Sequence, residues 1–265
     1  MHSTHLFVSL RANPYSEMIK KFLQEVGEYL LLMKRTFARP DNFRMFCKQI
    51  PRELEKLGVD SIGIIVIISI FMGVIMTVQT VLNTENPLLP RYSTGLVLRD
   101  TFLLEFSSTI MSLLLAGKVG SNIASELGSM RVSEQIDAME IMGVNSANYL
   151  ILPKIIALVI FMPVLVTLCV GFGMIGGACV AQFSDLITMS DFIYGIQYAF
   201  IPFYYTYSII KSLFFGFIIA SVSSFYGYYA YGGALAVGRA STHAVVNSSV
   251  LVLLSNIVLT NIILT

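Results

Sequence analysis

The sequence predicts an all-α polytopic membrane protein: an N-terminal interfacial amphipathic helix, about five transmembrane helices and one cytoplasmic amphipathic helix. Three observations predict it. Of 265 residues, 55% are hydrophobic and 12% charged, roughly half the charged share of an ordinary soluble domain. The charges are also unevenly spread, leaving uncharged runs at 61–84, 155–184, 192–210, 212–238 and 240–265. Most of these exceed the ~20 residues with which a helix crosses a ~30 Å hydrocarbon layer. Finally, ten of the 17 Lys and Arg fall within residues 1–58.

From Ser16 to Phe37 the apolar residues Met18, Ile19, Phe22, Leu23, Val26, Leu30 and Met33 recur every three or four positions with Lys, Gln and Glu between them, the pattern of an amphipathic helix. Its charges stand where the apolar core of a signal peptide would lie, so the segment is expected to be retained. The break at 39–42 precedes a shorter amphipathic piece with Phe43, Phe46, Ile50, Leu54 and Leu57. An apolar face with nothing long enough to cover it belongs in the membrane interface. Residues 1–58 therefore form one expected unit and 59–265 the transmembrane domain. Within the latter, spans are predicted at about Ser61–Leu82, Gly95–Ala116, Leu150–Gln182, Phe203–Phe225 and Thr242–Leu264. Basic residues crowd the N-terminal side, which places the N-terminus, 118–149 and 226–241 in the cytoplasm and Thr265 outside.

Several chemistries are excluded. A net charge of +1 offers no footprint for nucleic acid. Cys47, Cys169 and Cys179 lack metal-binding spacing, and no cofactor is expected. Gly171, Gly173 and Gly176 fit a dinucleotide fingerprint on paper, but they lie in an uncharged run with no preceding strand, so helix packing explains them. Gly233 to Ala240 resembles a phosphate loop without its Lys and Ser/Thr, so the chain has no ATP site of its own.

The segment 117–154 is longer than a connector needs. Ile123, Leu127, Met130, Ile136, Met139, Ile141 and Met142 alternate with Glu126, Arg131, Glu134, Gln135, Asp137 and Glu140. That pattern predicts an amphipathic helix, started by Ser133, and a docking surface between Gly128 and Gly143.

The run AGKVGSNIASELGSMRVSEQIDAMEIMGVN closely resembles the signature of the MlaE-type permeases, membrane subunits of MCE-associated ABC transporters that move phospholipids. Ile210–Gly216 and the stretch from Tyr226 through Val237-Gly238-Arg239-Ala240 to Ser249 match as well. In one place the chain departs from the family: Glu105-Phe106-Ser107-Ser108 replaces Glu-Leu-Gly-Pro. The resemblance implies a homodimeric permease without catalytic chemistry, working with a separate ATPase and an outer MCE-domain protein in a bacterial cytoplasmic (inner) membrane, with the plastid inner envelope second. It further implies that Glu126, Gly128, Met130, Arg131, Glu134, Gln135, Asp137, Ala138, Met139 and Gly143 form the ATPase-coupling segment. Val74, Thr77, Val78, Gln79 and Leu82, with Leu253, Asn256 and Ile257, would line a lipid pocket beside Glu105, Phe106 and Lys211.

Glu105 and Lys211 are the most deeply placed charges of their spans, where an unpaired charge is costly. A structural ion pair, a Lys211 reaching toward the interface, and two charges lining a cavity are all open readings. An ion-coupled secondary transporter is the alternative function. It would use paired acids at mid-membrane, and no acid follows Asp191. A cysteine placed beside Leu264 should label from the side opposite the N-terminus; labelling from the N-terminal side would overturn the five-span count.

Overall fold

The computed structural model describes residues 14–38, 43–83, 90–184 and 186–264. Within them every regular element is helical, and five helices are long and apolar enough to span a membrane. The amphipathic helix α1 covers Pro14–Thr36. Next, α2 (Phe43–Glu53) runs through a π-helical turn, Leu54–Val59, into α3 (Asp60–Asn83), giving one continuous rod. A second rod comprises α4 (Ser93–Thr101), a π segment Phe102–Ile110, α5 (Met111–Leu115), a π segment Ala116–Gly120 and α6 (Ser121–Val132). The remaining elements are α7 (Gln135–Ile141), α8 (Ser146–Phe183), α9 (Met189–Gln197), α10 (Pro202–Tyr228) and α11 (Ala234–Leu264). The end carrying α1 and α7 is called proximal below, the other distal.

Hydropathy locates these helices, yet the first, second and fifth continue beyond the spans read from sequence, all at the proximal end. There the polar residues find partners inside the protein, so the backbone stays helical past the apolar run. The first rod also passes unbroken through 58–59.

Close helix approach fixes the packing of α3 against α8. A Cβ on Gly73 would lie 2.1 Å from the Gly173 carbonyl oxygen, and one on Gly176 2.2 Å from that of Ile70. These glycines let two backbones touch, as small residues do between membrane helices. Gly171 of the same stretch faces open space.

The helix α1 lies across the proximal ends of α8 and α10. Leu32, Met33 and Thr36 are buried beneath it, and Tyr29 OH bonds Ser221 Oγ at 2.9 Å. Its C-terminal carbonyls are capped from α8: Asn148 Nδ2 donates to Thr36 O and Ala38 O, both at 2.7 Å. Leu23, Val26, Leu30, Leu31 and Phe37 remain exposed, so the helix has one apolar face on the protein and another turned outward. The predicted break at 39–42, and the side chains of Met18, Ile19, Phe22, Phe43 and Cys47, lie outside the described part.

At the distal end α9 packs crosswise on α4, held by Arg99. Its Nη1 donates to the carbonyls of Ile196 and Tyr198, both at 2.8 Å, and Nη2 pairs with Asp100 at 2.8 Å. Because the Gly73 contact is with backbone, Gly73→Ala should separate α3 from α8 and destabilise the protein by about 1–3 kcal/mol, in the range of core overpacking. Gly171→Ala should be neutral or slightly stabilising. Thermal unfolding in detergent compares the two, and equal melting temperatures would contradict this packing.

Candidate functional site

Glu105 and Lys211 meet. They stand twelve and nine residues from the distal ends of their helices, on the order of 15 Å deep at ~1.5 Å per residue. Lys211 Nζ lies 3.1 Å from Glu105 Oε1, 3.1 Å from Leu104 O and 3.0 Å from Tyr207 OH. An ammonium has three protons, and here all three are accepted. The Tyr207 hydroxyl lies 2.8 Å from Thr260 Oγ1 on α11. Glu105 Oε2 accepts from Thr109 Oγ1 at 3.0 Å and from Asn256 Nδ2 at 3.1 Å. The network thus ties the second rod to α10 and α11, and it is asymmetric: the Lys211 side chain is fully buried, whereas that of Glu105 is 45% exposed.

The π segment Phe102–Ile110 places Glu105. Widening the helix loosens its ladder locally, a distortion that recurs at functional sites. The segment includes Ser107 and Ser108, both buried. Ser107 Oγ meets Ser208 Oγ of α10 at 3.1 Å.

A second charged cluster fastens the proximal end. Lys154, 2% exposed, reaches Glu53 at 2.9 Å and Glu126 at 2.8 Å, and Lys56 pairs with Glu126 at 2.9 Å. Two acids and two bases thereby join the first rod, the second rod and α8 without net charge. Beyond them the second rod stops. Ser133 Oγ donates back to Ser129 O at 2.8 Å, Glu134 adopts a left-handed φ of 59° as N-cap of α7, and Gly143, at φ 78°, ends it. Such a φ after a helix suits glycine. Arg131 Nη1 pairs with Asp137, while Ile141 and Met142 are 87% and 70% exposed.

The family described as Permease MlaE matches residues 50–262. The chain belongs to the MlaE permease family. A probable ABC transporter permease protein of Rickettsia bellii is 30% identical over 251 residues, covering 95% of this chain and 96% of its own length. Protein trigalactosyldiacylglycerol 1, chloroplastic, of Arabidopsis thaliana is 36% identical over 219 residues, covering 79% of this chain and 60% of its own length. A probable ABC transporter permease protein of Synechocystis is 32% identical over 206 residues, 77% of each.

In this MlaE permease only some of the expected lipid-facing residues are available to a ligand. Glu105, Asn256 and Lys211 share one network. Gln79, Leu82, Leu253 and Ile257 are exposed, and Val74 and Val78 partly so. Thr77 and Phe106 correct the expectation: Thr77 is buried with its hydroxyl on Gly73 O, and Phe106 packs on Phe102 in the core. Lys211 does not reach toward the interface. The first-span and fifth-span groups are also apart, since α3 packs on α8 and α11 on α10 and α6.

The expected coupling segment differs from the sequence reading in its helix boundaries. It is two helices turning at Ser133–Glu134, and Ser133 is not an N-cap. Glu126 is held by Lys154 and Lys56, and Gly128 is buried against Val237 and Ala230. Met130 and Met139 are partly packed on the core, and Arg131 and Asp137 hold each other. Glu134, Gln135, Ala138 and Gly143 are exposed, beside Ile141 and Met142, whose outward direction periodicity does not give.

Replacing Glu105 by Gln leaves the buried Lys211 without an anion. Breaking a buried pair costs up to about 3–5 kcal/mol, and less here because Glu105 is half open. Glu105→Gln should therefore melt below the double variant Glu105→Gln, Lys211→Met; a single variant as stable as the double would mean that Lys211 stays buried at no cost without its carboxylate.

Proposed function

We propose that this chain is the permease subunit of an ABC transporter that moves phospholipids or related lipids between membranes. It would act as a homodimer in a bacterial cytoplasmic membrane, with a separate ATPase subunit at its cytoplasmic end and an MCE-domain lipid-binding protein outside. One observation carries the reading: within an apolar bundle, a sealed cation holds a carboxylate that opens sideways at mid-depth. A buried polar site of this kind suits the headgroup of an amphiphile whose chains lie along apolar helices.

Other observations support it. Two Rickettsia and Synechocystis relatives are named as ABC transporter permeases, and the Arabidopsis relative bears the name of a galactolipid. Val246, Val250, Leu253, Leu254 and Ile257 give α11 an exposed apolar face adjoining Asn256 and Glu105. A second copy on that face would bring the separated α3 and α11 surfaces to one cavity. Ten Lys and Arg among residues 1–58 favour the cytoplasm for the proximal end. The ATPase would then seat on α7 through Ile141 and Met142.

The chain with its ATPase, reconstituted in phospholipid vesicles, should hydrolyse ATP faster when lipid is available and move labelled lipid only with ATP. Lipid movement driven by an imposed ion gradient without ATP would establish the secondary-transport alternative instead. Ile141→Glu with Met142→Glu would bury charge in an apolar contact, weakening the ATPase about a hundredfold, or ~2.7 kcal/mol, with no change in the permease's own melting. Unaltered binding would remove α7 from the interface.

A further inference from the structure

We infer that Tyr228 is the positioning residue through which the Glu105–Lys211 site acts on α7, an inference that rests on the permease reading above. The basis is where two rods go. Helix α10 carries Lys211 and, seventeen residues later, Tyr228, ~25 Å along a stiff helix. The second rod carries Glu105 and, twenty-six residues later, Arg131, ~39 Å away. The two rods joined by the ion pair inside the membrane thus converge again at the proximal end, and there both bind the same short helix.

Tyr228 OH donates to Glu140 Oε1 of α7 at 2.8 Å. Ser146 Oγ, at the start of α8, lies 2.7 Å from that hydroxyl and 3.1 Å from the same carboxylate oxygen. Arg131 holds Asp137 of α7 while its guanidinium carbon stands 5.9 Å over the Tyr228 ring. With seven residues, α7 is too short to be stable on its own. Besides the buried Ile136 and the partly packed Met139, α7 is held to each rod through one of its own acids: Asp137 by the second rod's arginine and Glu140 by the tyrosine of α10.

The consequence is geometric. If a substrate group at Glu105 shifts α10 against the second rod, Asp137 and Glu140 follow different rods, and α7 must turn. Tyr228 is the residue where this differs from simple attachment. It is buried, its ring lies beneath the Arg131 guanidinium, and its hydrogen bond to α7 runs through its hydroxyl.

Tyr228→Phe removes the hydroxyl and keeps the ring. The full complex with its ATPase subunit is reconstituted in vesicles of phosphatidylethanolamine and phosphatidylglycerol, and lipid-stimulated over basal hydrolysis is read at saturating ATPase subunit. One hydrogen bond to a carboxylate corresponds to about a tenfold change, so the ratio should fall about tenfold toward unity. Glu140→Ala, which takes the acceptor away, should lower it similarly, and the double variant should be no worse than Glu140→Ala alone, because both remove the same link. If Tyr228→Phe lowers the melting temperature, Glu140→Ala on the exposed helix serves as the test. Full stimulation at saturation, with only weaker binding, would overturn the inference by reducing Tyr228 to a prop for the docking surface, and additive losses would overturn it too. A parent complex without lipid stimulation would instead bring down the permease reading, and this inference with it.

Discussion

A cation taken out of water must be given a counter-charge or a full set of acceptors, and this fold is pinned at three levels by that requirement. Arg99 at the distal end, Lys211 in the middle and Lys154 at the proximal end are all buried. Arg99 ties α4 to α9 through two carbonyls, Lys211 ties the second rod to α10 through Glu105, and Lys154 ties both rods to α8 through Glu53 and Glu126. Apolar contact in lipid gives little preference for one helix register over another, since lipid tails are as apolar as leucine. Directional contacts supply that preference, and each buried cation fixes the relative height of the helices it joins.

The two deeper cations differ in what they leave open. Around Lys154 the charges balance among Lys56, Glu53 and Glu126, and the cluster is internal. Around Lys211 the ammonium is satisfied on every side while its carboxylate faces outward. The first arrangement is a closed fastening and the second a fastening with one open side. Glu105 sits in the π segment Phe102–Ile110, on a rod that otherwise packs on α10, α11, α9, α3 and α8.

Helix number and order were legible in the sequence because hydropathy runs and basic clustering report directly on the solvent each segment meets. The depth of Glu105 and Lys211 was legible too, since two charges inside long apolar runs stand out. Their direct contact was not: spacing along two helices gives height, and only packing gives rotation. The same limit explains Thr77 and Phe106, chosen for position on a span and found facing neighbouring helices. The roles of Glu126 and Lys154 were hidden for another reason. A lone lysine after Pro153 looks like the border of a span, and its partners lie 101 and 28 residues away. Tyr228 carried no signal among the tyrosines of the 226–231 stretch.

The seat of α1 has a bearing on how the protein is made. Its contacts are with Asn145, Asn148, Ser221 and Phe225, all of them more than a hundred residues further along the chain. A helix made this early therefore has no place to dock until the third span supplies Asn145 and Asn148, and no complete one until the fourth supplies Ser221 and Phe225. During that interval its buried and outward apolar faces are both uncovered, and the membrane surface is the natural place for it to wait. An early-made element is then fitted late, when α1 is laid over the completed proximal ends of α8 and α10.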